Sequence, residues 1–309
     1  MMKKITMKDI AKETNLSVAT VSYVLNNVKN QTIPEETRRM VQEAAQRLHY
    51  VPNLAARSLV KSKTGLIGLL ISSGSKGDEW RPFSYASFLS RLEKLWSEQG
   101  YHLLVSTIDQ EDPRLHIILE RNLDGVYMAG VRTKAFYQIA EHFTVGVPAV
   151  IIDSLIDDDL FHKIVPNLPQ AIAQAKDLSG GNLSFLITDN YNNDEFMQLI
   201  SSSCGLEKQH IHVAESEAGV TRFLSEHTTG KGIIINEFIA AMAAKHIKAE
   251  RLAVICTADC PHVVPVGASK VVFEGKAERA FEIMNMHLKA QYEHETEKMI
   301  WIPTQLVEE

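Results

Sequence analysis

Little in this chain suits it to disulfide chemistry, metal binding or a membrane. There are three cysteines in 309 residues, Cys204, Cys256 and Cys260. So odd and sparse a set is no disulfide framework. Cys256 and Cys260 have the wrong spacing for a zinc pair, and no second pair matches them. His210-Ile-His212 is an equally weak signal, because alternate residues of any strand share a face. Neither a metal nor a cofactor is expected. No apolar run approaches the roughly 20 residues of a membrane span, and MMKKITMKD at the N-terminus lacks a signal-peptide core. The expected location is cytoplasmic. A nucleophile elbow, a Walker loop, a Gly-rich dinucleotide turn and suitably spaced catalytic carboxylates are all missing. The expectation is that the protein is not an enzyme and has no catalytic residues.

What is present is an uneven distribution of charge. Residues 1–63 carry eleven Lys and Arg against five Asp and Glu, a net +6. The remaining twenty-one against thirty-three give −12, and together these make the chain's −6. A basic module on an acidic body is the asymmetry of a protein that meets phosphate at one end.

Three short helices fit the basic module. The first starts at Thr6, with Asp9 three residues on as its capping partner and Ile10 and Ala11 facing inward. A turn at Thr14-Asn15-Leu16 follows. Ser17 caps a second helix over 18–25, with Val21 and Leu25 inward at i, i+4. Val18, Ala19, Thr20, Ser22 and Tyr23 are left facing out. A third helix over about 34–48 has Glu35 and Glu36 in its first turn, where the dipole favours anions. Val41, Ala44, Ala45 and Leu48 form its packed face. Two small helices joined by a tight turn make a helix-turn-helix, whose second helix fits the major groove.

The runs DIAKETNLSVATVSYVLNN and EETRRMVQEAAQRLHYVPNLAARSL, with the spacing between them, resemble the LacI/GalR family of bacterial transcription regulators. The resemblance implies that Val18, Ala19, Thr20, Ser22 and Tyr23 meet bases or nearby backbone in the major groove. It places Thr6, Asn26, Thr37, Arg38, Tyr50 and Asn53 at phosphates. It makes Pro52 to Leu59 a hinge helix that pairs across a dimer, with Ala56 and Leu59 in the minor groove and Leu59 as the wedge that kinks the DNA. An eight-residue helix is marginal alone in water, so this one is expected to fold only on the operator. The expected domains are a helix-turn-helix over 1–50, a hinge and linker over 51–63, and a core over 64–309.

After the linker the pattern alternates strands and helices. Apolar runs at 66–71, 101–106, 125–129 and 149–152 read as parallel strands buried on both faces, and so do 183–187, 210–214, 232–235 and 252–255. Helices are expected near 84–98, 112–121, 133–143, 168–178, 194–203, 217–227 and 238–247. A late helix over 276–291 and a strand at 299–302 follow. Two doubly wound α/β units make two lobes with a cleft between them. By resemblance this is the family's periplasmic-binding-protein-like core, with a first lobe of about 64–163 plus 271–291 and a second of about 164–268 plus 292–309.

Ligands of such sheets sit at the C-terminal strand ends. Those positions hold Ser72, Ser73, Thr107, Gly130, Asp153, Asp189, Glu237 and Asp259. Trp80, Arg81, Phe83 and Tyr85 follow the first strand. By resemblance Ser72, Asp153 and Glu237 fall on effector contacts. The effector set is read as Ser72, Trp80, Arg81, Phe83, Asp153, Glu237 and Asp259.

The sequence also departs from the family's pattern. Asn236-Glu237 stands where Asn-Asp is common. Residues 191–205 lack the usual ligand-binding arginine, and Tyr23 stands where arginine often reads guanine. The expected function is a dimeric repressor of a palindromic operator, gated by a small polar effector such as a sugar. The alternative keeps the DNA-binding headpiece but gives the core no sugar, leaving it to dimerise or to answer a protein or a non-sugar metabolite.

Overall fold

The computed structural model describes residues 5–25, 33–48, 50, 63–73, 80–109, 122–141, 147–290 and 297–305, with only the backbone described at Ser73, Arg81 and Pro82. The chain divides into two compact units, Met1–Thr64 and Gly65–Glu309. The expected hinge helix at 52–59, the helix near 112–121 and the side chains of Asn26, Asn53, Ala56, Leu59 and Arg81 lie outside the described residues.

Among the described residues the first unit holds three helices, α1 (Met7–Thr14), α2 (Val18–Leu25) and α3 (Glu35–Arg47). The backbone N–H and the hydroxyl of Thr6 both donate to Asp9 Oδ2, at 2.9 and 2.7 Å. Asn15 ends α1 in the left-handed region at φ 54°, a conformation that asparagine tolerates better than most residues. Ser17 Oγ accepts the N–H of Thr20 at 3.0 Å and opens α2. Ile10, Ala11, Val21, Val24, Val41 and Ala44 form the buried centre. The expected inward pair on α2 was Val21 and Leu25. The fully buried pair is Val21 and Val24, with Leu25 half-buried beside them, because the short helix meets α1 and α3 across an i, i+3 edge.

Among the described residues the second unit holds two six-stranded sheets. The first lobe's sheet has the order β11-β5-β4-β3-β1-β2, all parallel. Its strands are β1 (Leu66–Ser73), β2 (His102–Asp109), β3 (Gly125–Ala129), β4 (Ala149–Ile152), β5 (His162–Pro166) and β11 (Met299–Ile302). The second lobe's sheet has the order β12-β10-β9-β8-β6-β7. It comprises β6 (Leu183–Thr188), β7 (Ile211–Val213), β8 (Lys231–Ile235), β9 (Leu252–Cys256), β10 (Ser269–Phe273) and β12 (Thr304–Gln305), and β12 alone is antiparallel.

Each sheet has an apolar cluster on both faces, as period-2 strands between helices require. In β1, Ile67 and Leu69 pack on one side with Phe88, Leu92 and Trp96 of α5 (Ala86–Glu98), while Leu70 packs on the other with Phe136 of α6 (Thr133–Ala140). In the second lobe, α7 (Leu168–Leu178) and α8 (Asp194–Cys204) cover one face. The other face is covered by α9 (Glu217–Glu226) and α10 (Glu237–Ala243). Helix α11 (Lys276–Leu288) lies on the first lobe. It comes so close that a Cβ on Gly125 would stand 2.6 Å from Met284 Sδ.

The two-lobed reading holds, but its boundaries move. Strand β10 belongs to the second lobe, although the sequence reading put residues 271–291 in the first. Strand β11 belongs to the first, although 292–309 were expected in the second. Strand β5 was not expected at all, since His162 and Lys163 disguise it. The chain therefore crosses between lobes at 166–168, 273–276 and 302–304. The crossings are laced together: Asn167 N–H donates to Ile302 O at 2.9 Å, and Glu274 N–H to Pro303 O at 3.3 Å.

Strand β5 stays buried because its polar groups are paired. Lys163 Nζ donates to Asp158 O at 2.7 Å. His162 Nδ1 lies 2.9 Å from His287 Nε2, so one ring donates and the other accepts. Burial first, then the charge of Lys298, lowers the His162 pKa from 6.5 to about 4, and the same causes lower that of His287. Between those limits the unfolded chain binds more protons than the folded one. Stability is therefore full above about pH 6.5 and falls as pH drops toward 4. The melting temperature, followed by circular dichroism, is expected to fall between pH 7 and pH 5. His162→Gln should make that slope shallower; an unchanged slope would place the proton uptake elsewhere.

Candidate functional site

In the first unit the candidate surface is the outer face of α2. Packing of Val21 and Val24 turns the other side of the helix outward. Val18, Ala19 and Tyr23 are exposed, and Thr20 and Ser22 are half-exposed. This is the set that the sequence assigned to bases. Thr37 and Arg38 are half-exposed near the start of α3. Tyr50 packs partly against the headpiece core, and its N–H donates to Ala45 O at 2.9 Å. The Thr6 hydroxyl is engaged by Asp9, so toward a phosphate Thr6 offers an oxygen whose proton is already committed. Arg47 bonds Glu13 Oε1 at 2.8 Å and ties α3 to α1. The helix is thus carried by a small fixed frame with an exposed row of short side chains and one tyrosine.

In the second unit the strand ends of the two lobes face a narrow pocket. It is lined by Ser84, Tyr85, Asp153 and Pro166 from the first lobe and by Asp189, Tyr191 and Thr257 from the second. Several of the polar groups expected to hold an effector are already engaged within the chain. Asp153 stands just past β4 at φ 52°. Its Oδ2 accepts from Lys276 Nζ at 3.0 Å, and that ammonium lies 5.8 and 5.5 Å from the ring centres of Tyr85 and Phe88. Glu237, fully buried in the first turn of α10, accepts the N–H groups of Ala258 and Cys260 at 2.9 and 2.8 Å. Burial raises its pKa, and the two N–H groups offset only part of that rise. Glu237 therefore braces the loop after β9 rather than facing the pocket.

Trp80 comes from the first lobe, just before the short helix α4 of the pocket wall (Arg81–Ser84), and is buried in the second lobe's apolar cluster with Ile187, Ile234 and Ile239. Its indole N–H donates to Asp189 Oδ1 at 2.8 Å. Asn236 Nδ2 donates to Asp189 Oδ2 at 3.1 Å and to Ser84 Oγ at 2.8 Å. The Phe83 ring is exposed and lies 5.9 Å from that of Phe238. Asp259 is exposed and not part of the lining.

Among the described residues, three buried oxygens near the strand ends remain unspent. Asp153 Oδ1 and Ser72 Oγ have no hydrogen-bond partner, and the Tyr191 hydroxyl, near Thr257, makes no well-formed bond. Burial, then the charge of Asp189, holds that phenol well above its ordinary pKa. An acceptor and two hydroxyls suit a ligand carrying hydroxyl or N–H groups. They do not make an acid–base pair. Burial also raises the thiol pKa of Cys256 and Cys260, so neither is a ready thiolate. Among the described residues no cluster of three or more His, Cys, Asp or Glu is placed to hold a metal, and no helix is long and apolar enough to cross a membrane.

Of the effector residues expected from the sequence, Asp153 lines the pocket, Trp80 reaches it through Asp189, and Ser72 stands buried near the end of β1 outside the lining. Glu237 has a structural task instead, and Asp259 lies away. Asn236, Tyr191 and Lys276 were not picked out. Lys276 carries no local signal, because only the return of α11 to the first lobe brings it to Asp153.

Residues 6–53 match the family model described as bacterial regulatory proteins, lacI family. The chain is 36% identical over 126 residues to the HTH-type transcriptional regulator MalR of Streptococcus pneumoniae, covering 40% of this chain and 38% of that protein. It is 28% identical over 227 residues to catabolite control protein A of Priestia megaterium, covering 72% and 61%. The chain thus spans less than two thirds of the length of these relatives. Among solved structures it resembles the Lac repressor dimer bound to operator and an anti-inducer, at TM-score 0.75 and 16% identity, covering 99% and 98% of the two chains. It also resembles the regulator CelR in complex with cellobiose, at TM-score 0.59 and 17% identity, covering 98% of each. At such identities the likeness is one of fold.

Proposed function

We propose that this protein, whose residues 6–53 match the lacI family of bacterial regulatory proteins and whose fold is similar to that of the Lac repressor, is a sequence-specific DNA-binding transcription repressor, not an enzyme. The observation that carries the reading is α2, held with Val18, Ala19, Thr20, Ser22 and Tyr23 outward on a basic unit whose residues 6–53 match the family. It acts as a homodimer in the cytoplasm. One chain presents one headpiece, and a twofold dimer matches a palindromic operator. In this reading Thr6, Asn26, Thr37, Arg38, Tyr50 and Asn53 meet phosphates, and Ala56 and Leu59 enter the minor groove.

Selection from a random DNA pool tests this. Enrichment of one palindrome supports the proposal, and retention of no sequence over background refutes it. Tyr23 adds a sharper check. It offers one hydroxyl and a ring, where an arginine would hold guanine O6 and N7 together. Tyr23→Arg is expected to change the preferred base at one position of each half-site, by about 1–3 kcal/mol of discrimination. An unchanged selected motif removes Tyr23 from the readout.

The core, in this reading, binds a small polar effector in the interlobe cleft, a sugar or a related polyol, through Asp153 Oδ1, Ser72 and Tyr191. The unpaired buried atoms support it, and CelR, a protein of similar fold, was solved in complex with cellobiose. A second reading has a specific observation in its favour: Trp80 and Asn236 already engage Asp189, which leaves little for a sugar to hold. There the core is a dimerisation body, or answers a protein or a non-sugar metabolite. A thermal-shift screen of sugars, sugar phosphates and nucleosides separates the two. A stabilising sugar at millimolar concentration favours the first, and silence throughout favours the second.

A further inference from the structure

We infer that Trp80 is the resident occupant of the interlobe cleft, and that it holds the two lobes closed in the place where a small molecule would act. The inference rests on the core reading above for its regulatory meaning, and on geometry alone for the occupancy.

The geometry has three parts. Trp80 leaves the first lobe and buries all but 7% of its surface in the second. It sits there in one apolar cluster with Ile187, Ile234 and Ile239 of the second lobe, next to the cleft residue Asp189. Its N–H is spent on Asp189 Oδ1, so the one polar atom of the ring is paired at 2.8 Å. The neighbouring residues extend the link. Ser84, four residues on, accepts from Asn236 of the second lobe at 2.8 Å, while Phe83 meets the Phe238 ring. Asn236 itself holds a φ of 95°, a costly backbone that is kept with its side chain engaged three ways, to Ser84, Asp189 and the N–H of Phe238.

A buried aromatic ring with a single satisfied donor is the chemistry of a bound flat ligand. Here the chain supplies it. Closure therefore needs no added molecule. A ligand that enters from solvent to reach Asp189 must first displace the indole, and it shifts the core only insofar as it binds the open and closed states unequally. Asp153 Oδ1 and Tyr191 stay available to such a ligand while Asp189 does not.

The test uses the full chain labelled with 5-fluorotryptophan. Trp80, Trp96 and Trp301 give three fluorine resonances, assigned with Trp→Phe variants. With no small molecule added, the Trp80 signal is expected to show as little H₂O/D₂O solvent shift and as little broadening by a soluble gadolinium chelate as that of buried Trp96. Trp301, 37% exposed, serves as the accessible reference. Asp189→Ala removes the indole's acceptor and is expected to raise the Trp80 solvent shift toward the Trp301 value. Trp96 stays unchanged and so reports that the fold survives. A wild-type Trp80 signal as accessible as Trp301 overturns the inference, whatever the protein does with DNA. So does a Trp80 signal indifferent to Asp189→Ala in a folded protein. In the same samples Trp80→Ala is expected to change affinity for the selected DNA by about tenfold, a typical allosteric coupling, while Trp80→Phe changes it less. Equal affinities in all three overturn the regulatory part alone. Failure of every sample to bind DNA would instead sink the headpiece proposal and leave the fluorine result standing.

Discussion

Val21→Asp is expected to abolish operator binding while leaving the core's melting transition in place. Val21 has no exposed surface and sits at the meeting of α1, α2 and α3. The headpiece cluster is small, with six buried residues among those described. A unit of about 64 residues has only about 3–10 kcal/mol in hand at ordinary stabilities per residue. An ionised carboxylate with no partner costs more than that to bury, and a protonated one still loses the valine's packing. The unit should therefore unfold, and selected DNA should bind at least about a hundredfold more weakly, about 2.7 kcal/mol at the standard conversion. The core has its own clusters on both sheets, so calorimetry should show its transition within a degree or two of the parent. An electrophoretic shift retained within tenfold would contradict this account of the headpiece.

Glu237→Ala is expected to be the most damaging polar truncation in the core. The side chain is fully buried, and its two oxygens accept the N–H groups of Ala258 and Cys260. Removing it strands both donors, at about 1–3 kcal/mol each, and leaves a gap beside Ala258. The expected loss is about 3–5 kcal/mol of core stability. Glu237→Gln keeps one acceptor oxygen and should lose about half as much. Urea unfolding followed by fluorescence measures both. Equal losses in the two variants would mean that the carboxylate's charge, rather than its two hydrogen bonds, is what the loop requires.

These two residues also mark how legible the molecule is from its sequence. The headpiece could be read almost in full, because each of its devices is local. Thr6 and Asp9, Ser17 and Thr20, and the outward row on α2 lie within one turn of one another, and the family match adds their spacing. The alternation of strands and helices in the core could be read for the same reason. Strand β5 could not. His162 and Lys163 look solvated until His162 meets His287, a partner 125 positions away that no short window of sequence contains. The lobe boundaries shifted because β10 and β11 are short strands whose sheet depends on long-range pairing. Glu237 was read as a ligand contact from its strand-end position, yet the loop after β9 had claimed both of its oxygens. Trp80 was placed near the cleft, but its burial in the opposite lobe follows from packing across the cleft, which composition and periodicity do not encode.

The three crossings between the lobes bear on how the protein is made. Strand β11, which borders β5 in the first lobe's sheet, is drawn from residues that follow nearly the whole second lobe in the chain. A ribosome delivering the chain from its N-terminus therefore exposes β5 as an open edge while the second lobe is being synthesised. An unpaired parallel edge is a template for the wrong partner. The headpiece can fold early from local contacts. The first lobe must wait for β11, and during that interval the nascent core is most in need of a chaperone.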